Sequence, residues 1–340
     1  MRIALDAMGG DKAPAEQVAG AVLAARDLQI SVSLVGPEKV LAPELGRHQA
    51  SQLPIEIVDA PESIDMSDHP VEAVRRQKGS SMNVGIQLVR SGHADAFVSA
   101  GNTGAVMVAS LFGLGRLTGI ERPALGSIFP TTQGNCLILD IGANADCRPE
   151  HLLQFGRMGE RYSRLVLGVT QPRVALLSNG EEETKGSKLV QEAHALLRES
   201  DINFVGNIEG KDITRGIADV VVCDGFVGNV LVKLAEGISE FTFGLLRTEL
   251  TSSLRGRAGG FLLLPSLRRI KRKIDYQEYG GAPLLGVNGV VIVAHGRSGA
   301  LAIRNAIRVA NQAARSNLIG ALTFNDVTVT PAVGRGDVAT

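Results

Sequence analysis

Short apolar runs recur along the chain with amphipathic stretches between them, and nearly every run stops at a glycine or polar turn. The runs at 2–6, 31–35, 55–58, 95–99, 136–140, 173–177, 202–205, 219–223 and 290–294 predict strands. Most are apolar throughout rather than alternating, as strands are when helices cover both faces of a parallel sheet. Apolar positions at helical spacing predict helices over 15–28, 70–91, 152–167, 188–200 and 299–314. Strand and helix in alternation form βα units with right-handed crossovers, so the pattern predicts an α/β fold on a mostly parallel sheet.

Residues 240–282 break this rhythm. A helical stretch from Phe241 to Leu254 leads into the glycine-rich Arg255–Gly260, then Phe261-Leu262-Leu263-Leu264, then a basic run from Arg268 to Lys273. This segment reads as a projecting helical insertion in a single catalytic domain spanning 1–326, and the turn-rich 327–340 reads as a loose tail.

Composition narrows the class. With 340 residues and 44% hydrophobic content the chain buries a large core, which excludes a disordered protein. Lys+Arg and Asp+Glu both total 35, so no global field draws it to nucleic acid, and any charged partner must be met by a local patch. The 3 cysteines, Cys136, Cys147 and Cys223, are widely spaced and form neither a disulfide framework nor a zinc motif. Met1–Asp6 already reads as a strand, without the apolar core of a signal peptide, and no run of about 18 apolar residues occurs. A soluble cytoplasmic protein with only peripheral membrane contact is expected.

In an open parallel sheet the turns at the carboxyl ends of strands converge, and helix N-termini present backbone N–H groups there. Six such turns share one chemistry: Asp6-Ala-Met-Gly9-Gly10-Asp11, Ser99-Ala-Gly101-Asn102-Thr103-Gly104, Asp140-Ile-Gly142-Ala-Asn144, Ser178-Asn179-Gly180 running to Gly186, Asp224-Gly-Phe-Val-Gly228-Asn229, and His295-Gly296-Arg297-Ser298. Glycine lets backbone approach an anion, and Asn, Ser and Thr donate hydrogen bonds without adding charge, so the set points to a small phosphate. Glycine and asparagine also serve as ordinary turn and cap residues, a reading that weakens as six turns coincide. No G-x-G-x-x-G follows a strand and no P-loop is present, so no nucleotide is required.

Lys185 stands out among the side chains of these turns. It lies beside Glu181–Glu183 just before a helix, where a cation can hold phosphate and stabilise developing charge, or else pair with a glutamate. His295 with Ser298 invites a general-base reading, yet nothing around them suggests a triad, and a cap or phosphate donor serves as well. Cys223 ends an apolar strand and reads as a buried bystander. Asp6, Asp140 and Asp224 end strands as metal-binding aspartates do, though they equally orient loops; no metal and no cofactor is called for.

Taken together, these turns and the string Ala73-Val-Arg75-Arg-Gln-Lys78-Gly-Ser80-Ser81-Met82 resemble the bacterial phosphate acyltransferases, the acyl-acyl-carrier-protein:phosphate transacylases of phospholipid synthesis, over about residues 1–325. The resemblance implies a three-layer, doubly wound mixed sheet similar to isopropylmalate dehydrogenase and phosphate acetyltransferase, working as a homodimer. It implies a reaction in which acyl carrier protein thioester and inorganic phosphate give acyl phosphate, the feed for a membrane glycerol-3-phosphate acyltransferase. It also implies Lys185 and Asn229 as the key pair.

The insertion then acquires a purpose. Between Arg247 and Lys273 stand 8 bases, among them Arg255, Arg257, Arg268, Arg269 and Lys271, against the single acid Glu249. A basic surface with Phe261–Leu264 as an apolar tip suits an acidic carrier protein or an anionic membrane, and a dimer-packing helix pair is the alternative. Two rival readings remain on the sequence: a scaffold without activity, which leaves the turns unexplained, and an NAD-dependent decarboxylating dehydrogenase, which lacks its dinucleotide fingerprint.

Overall fold

The computed structural model describes residues 1–274 and 279–323, with 271–274 as backbone only. The Lys271 side chain, part of the insertion's end and the chain end read as a tail therefore lie outside the described residues. The strands are β1 (Arg2–Asp6), β2 (Ser31–Gly36), β3 (Ile55–Asp59), β4 (Ala96–Ser99), β5 (Ala124–Thr131), β6 (Gly134–Leu139), β7 (Val174–Leu177), β8 (Phe204–Ile208), β9 (Val220–Val222), β10 (Ala282–Leu285) and β11 (Val290–Val293). The helices are α1 (Ala15–Leu28), α2 (Glu38–Gly46), α3 (Pro70–Arg76), α4 (Ser81–Arg90), α5 (Thr103–Gly113), α6 (Pro149–Leu165), α7 (Lys188–Arg198), α8 (Gly210–Ile213), α9 (Gly225–Thr251), α10 (Leu254–Ile274), α11 (Ala300–Arg315) and α12 (Leu318–Leu322).

All 11 strands join one sheet in the order β3-β2-β1-β4-β11-β10-β5-β6-β9-β7-β8. Successive side chains alternate between its faces, which fixes the three layers. Ile3 and Leu5 of β1, with Leu137 and Leu139 of β6, share one buried cluster with α1, α6, α7 and α11. Ala4 faces the opposite way, against α3, α4 and α5, and Cys136 and Ile138 lie with α8 and the start of α9.

Strand direction is the finding that most affects the site. Strands β3, β2, β1, β4 and β11 are mutually parallel, as are β6, β9, β7 and β8. Between the groups, β10 and β5 pair antiparallel on both sides. Those 3 antiparallel junctions set the two groups running in opposite directions.

Neither β5 nor β10 is expected from the sequence pattern. β5 carries Gly126, Ser127 and Pro130, and Pro130 is tolerated because β10 reaches only Ala124 and Leu125, leaving that stretch of β5 as an edge. The helix predicted over 70–91 is two helices, broken where Gln77 leaves helical geometry and the Ser80 hydroxyl caps α4 by accepting from the Asn83 amide.

The insertion also differs from expectation. Its first helix starts at Gly225 rather than Phe241, so the string around Asn229 is the opening of α9 and not a turn. The glycine-rich 255–260 is helical within α10, and the hairpin turns at Ser252–Ser253. Phe261–Leu264 therefore lies inside α10 and forms no tip.

Candidate active site

Because the two strand groups run in opposite directions, the turns after β1, β4 and β11 leave one end of the sheet and those after β6, β7 and β9 the other. The expected convergence of all six turns is corrected to two clusters. Helix α9 measures their separation. It starts against the turn after β6, and Glu240 along its length meets Arg297 of the other cluster, Oε1 to Nη1 3.7 Å. Eleven residues separate Asn229 from Glu240, which at the rise of a helix is about 16 Å. The His295–Ser298 turn and Asn229 thus belong to opposite ends of the sheet.

The cluster around Asn229 is organised by Asp140. This buried carboxylate accepts the amides of Leu125 (3.0 Å), Gly142 (3.2 Å) and Ala143 (3.0 Å) on Oδ1, and Asn144 N (2.7 Å) and Nδ2 (2.9 Å) on Oδ2. Burial pushes its pKa up, and these donors oppose the shift. Asn144 is engaged too, its Nδ2 also donating to the Pro123 carbonyl at 2.7 Å. Both residues thus shape the loop and offer the ligand little directly.

Helix α9 is seated on this loop. Asp224 caps it by accepting the Val227 amide at 2.9 Å, and the Gly225 amide donates to the Asn144 carbonyl at 2.8 Å. Gly228 is there for contact, since a Cβ would stand 1.9 Å from the Asp140 carbonyl oxygen. Asn229 follows, half-buried, opposite Gly142, whose φ of +145° favours glycine and whose missing side chain leaves Asn229 uncovered. Ahead of it on α9, Phe226 and Val227 line a pocket of about 370 Å³ together with Asp146, Cys147, Leu189 and Asp224.

Leu189 of α7, four positions past Lys185, lines this pocket, and the loop ahead of it is fastened at three carbonyls. Gln191 donates to the carbonyls of Thr184 (2.8 Å) and Gly186 (3.2 Å), and Asn207 Nδ2 to that of Glu182 (3.0 Å). With Asn207 Nδ2 donating, its Oδ1 accepts, so the buried His194 carries its proton on Nδ1, 3.0 Å away. Glu183 is taken by Arg198 at 2.7 Å, with His194 Nε2 at 3.7 Å. Among the described residues no carboxylate lies within ion-pair reach of the exposed Lys185 ammonium. Its aliphatic stem folds over Gly180, where a Cβ would meet Lys185 Cγ at 2.8 Å.

Nothing in the sequence marks Asn207, His194 and Gln191, which sit on an ordinary strand and an amphipathic helix. Asn207→Ala is expected to lower kcat about tenfold, equivalent to about 1.4 kcal/mol of barrier, with a loss of stability no greater than one buried hydrogen-bonded pair, about 1–3 kcal/mol. Steady-state rates measured beside thermal melts check this; an unchanged kcat would separate the pair from the placement of Lys185.

The other cluster is tied to itself. Asp6, buried and with its pKa raised by burial, accepts the Ser81 and Ser99 hydroxyls, each at 2.6 Å, and the Met8 amide at 3.2 Å. Ser99 Oγ accepts the Gly101 amide at 3.0 Å, and a Cβ on Gly9 would stand 2.5 Å from Asp6 Oδ2. Gly10 takes φ +109°, and the Gly296 carbonyl accepts the Asp11 amide at 2.9 Å. Asn102 caps α5 and donates to Met66, and Glu16 accepts the Ala300 amide at the start of α11 at 2.6 Å. Ser298 is buried, whereas Thr103 and His295 stay exposed. Ser81, opening α4 in the quoted Ala73–Met82 string, and Gln17, donating to the Gly9 carbonyl at 2.5 Å, are members the turns do not announce.

The thiols are held neutral. Burial pushes Cys136 up to about 12 and Cys147 up to about 11, and Cys223 well above its ordinary value. Cys147 alone of the three lines the pocket, and such a thiol is ionised in roughly one molecule in ten thousand at neutral pH. Cys147→Ser is expected to retain at least about half of wild-type turnover, and an activity loss that tracks alkylation of Cys147 would revive a thiol nucleophile. Among the described residues no group of three or more His, Cys, Asp or Glu is placed to hold a metal.

Comparison with known proteins gives this geometry a context. A profile described as Fatty acid synthesis protein matches residues 1–320. A phosphate acyltransferase of Pelotomaculum thermopropionicum is 53% identical over 319 residues, covering 94% of this chain and 93% of its own. One of Geobacter sulfurreducens is 51% identical over 318 residues, with 94% and 92% covered. Among solved structures, a phosphotransacetylase of Staphylococcus aureus shares the fold with TM-score 0.60 at 18% identity, over 92% of this chain and 94% of its own. A branched-chain phosphotransacylase of Enterococcus faecalis does so with TM-score 0.56 at 14% identity, over 92% and 99%. Matched from its first residue to residue 320, and half identical to phosphate acyltransferases over nearly its whole length, the chain belongs to the fatty acid synthesis protein family.

Proposed function

We propose that this phosphate acyltransferase passes a fatty acyl group from the thioester of acyl carrier protein to inorganic phosphate at the pocket between the Lys185 loop and the start of α9. A phosphate oxygen attacks the thioester carbonyl, the tetrahedral oxyanion collapses, the C–S bond breaks, and the carrier thiolate takes a proton. Phosphate dianion is already a nucleophile near neutrality, so the site has to position and partly desolvate it rather than deprotonate it. Lys185 holds the phosphate and its developing charge, and Asn229 with nearby amides serves the oxyanion.

The observation that carries this reading is an exposed lysine, without an ion partner among the described residues, on a loop fastened from both sides and followed by Leu189, which lines one pocket with Phe226 and Val227 at the start of α9, just ahead of Asn229. The test is direct. Enzyme, acyl carrier protein thioester and labelled phosphate should yield labelled acyl phosphate and free carrier thiol in equal amounts, and release of free thiol alone would leave only a thioesterase.

Two partner readings follow from α9 and α10. Phe226, Val230, Leu234, Ile238, Phe241 and Leu245 form an exposed apolar stripe at helical spacing along α9, which suits the same helix of a second copy and a homodimer. No described helix is long and apolar enough to cross a membrane. The hairpin end, where Leu254 is 83% exposed beside Arg255 and Arg257, suits shallow contact with an anionic lipid surface or an acidic carrier protein, and would bring acyl phosphate to a membrane glycerol-3-phosphate acyltransferase. Leu254→Glu is expected to weaken association with anionic vesicles about tenfold, the loss from unburying one leucine at about 1.5 kcal/mol; equal sedimentation counts against the lipid reading.

A further inference from the structure

A second opening lies away from the pocket at the start of α9. It is a cleft of about 520 Å³ between the two helices of the hairpin, within the size range of small-molecule sites, roughly 300–1,000 Å³. Its walls are Phe243, Leu246 and Leu250 of α9 and Phe261, Leu264 and Leu267 of α10. The helices approach each other at Gly260, where a Cβ would stand in ordinary contact with Leu250 Cβ at 3.4 Å.

Three arginines, Arg247, Arg257 and Arg268, complete the lining, and no acid joins them. Arg257 is tethered by its Nε to the Thr251 carbonyl at 3.2 Å, next to the hairpin turn. Glu249, the one acid between Arg247 and Ile270, is not part of the lining; it stands roughly 60° from Leu246 and 100° from Leu250 around α9. An apolar trough with cations and no anions is complementary to one kind of ligand, a hydrocarbon chain ending in a negative charge.

The cleft is also separate from the surface suited to a second copy. At 100° per residue the stripe from Phe226 to Leu245 and the wall of Phe243, Leu246 and Leu250 lie on roughly opposite sides of α9. A partner on the first face leaves the second open.

We propose that the cleft between α9 and α10 binds a single fatty acyl chain with an anionic head group. The acid-free arginine lining excludes a neutral chain as the preferred ligand, and the trough between two helices distinguishes one bound molecule from contact with a lipid surface. That the physiological ligand is acyl phosphate, held after it leaves the Lys185 pocket, rests on the reaction proposed above; binding of the anionic chain itself does not.

The chain contains 0 Trp, so a single introduced indole reports without background. Phe261→Trp is titrated with palmitate below its micelle concentration, and hexadecanol serves as the uncharged counterpart. Saturable emission change at one palmitate per chain is expected, at least tenfold weaker for hexadecanol and for Arg247→Glu/Arg268→Glu with helix content preserved by circular dichroism. Equilibrium dialysis of labelled palmitate against the unmodified chain repeats the measurement without the reporter. Absence of saturable binding, equal binding of hexadecanol, or palmitate binding that merely dissociates a dimer would overturn the proposal. Binding is read without turnover, so Lys185→Ala should bind palmitate normally. Failure of palmitate to bind an enzyme that makes acyl phosphate would sink this site alone.

Discussion

Lys185→Ala is expected to lower kcat for acyl phosphate formation by about a hundred- to a thousandfold, the loss of about 2.7–4 kcal/mol that removal of one preorganised stabilising group produces. Stability should hardly move. The side chain is exposed, pairs with no carboxylate among the described residues, and lies on a loop held by Asn207, Gln191 and Glu182 rather than by its own ammonium. A surface substitution of that kind stays within about 0.5 kcal/mol. Lys185→Arg should recover only part of the rate, because a planar fork on a longer stem does not place its charge where the ammonium stood. If the lysine also binds ground-state phosphate, the KM for phosphate rises with the fall in kcat, and a pure kcat effect would confine its role to the transition state. Near-normal acyl phosphate formation by Lys185→Ala, with melting unchanged, would refute the assignment outright.

How much of this was legible in the sequence depends on whether each feature is local. β1, β2, β4, β6, β9 and β11 could be read because a strand covered on both faces is apolar at every position. The sense of the sheet could not, because its reversal is carried by β5 and β10, whose glycine, serine and prolines read as loop, and whose pairing is settled by distant partners. The six polar segments do follow strands, though Asp224–Asn229 opens a helix instead of forming a turn, and their division into two clusters follows only from that reversal. Asp224–Asn229 looked like a turn because glycines 225 and 228 suggest one; the structure puts them in a helix that must touch the backbone of β6. Lys185 was visible as a lone cation among glutamates. That Glu183 would be removed from it by His194 in the middle of α7 and Arg198 at its far end was not.

Gly228→Ala is the substitution expected to damage both the fold and the activity. Its Cβ would fall 1.9 Å from the carbonyl oxygen of Asp140 and 3.0 Å from Cys223 Sγ. The first neighbour is backbone, fixed at the end of a central strand, so no side chain can rotate out of the way. The start of α9 must lift from β6 by more than an ångström, and forcing such a shift costs about 1–3 kcal/mol and occasionally more. At about 1.4 °C per kcal/mol for a chain of this size, the melting temperature should drop by roughly 2–4 °C. The same lift carries Asn229, one residue on, away from Gly142, so kcat should fall with stability. Asn229→Ala separates the two effects: it removes the amide without moving the helix and should reduce turnover by about a hundredfold at nearly unchanged melting temperature. Were Gly228→Ala as stable and as active as the unmodified protein, α9 could not be seated on the Asp140 carbonyl, and the placement of Asn229 would need another cause.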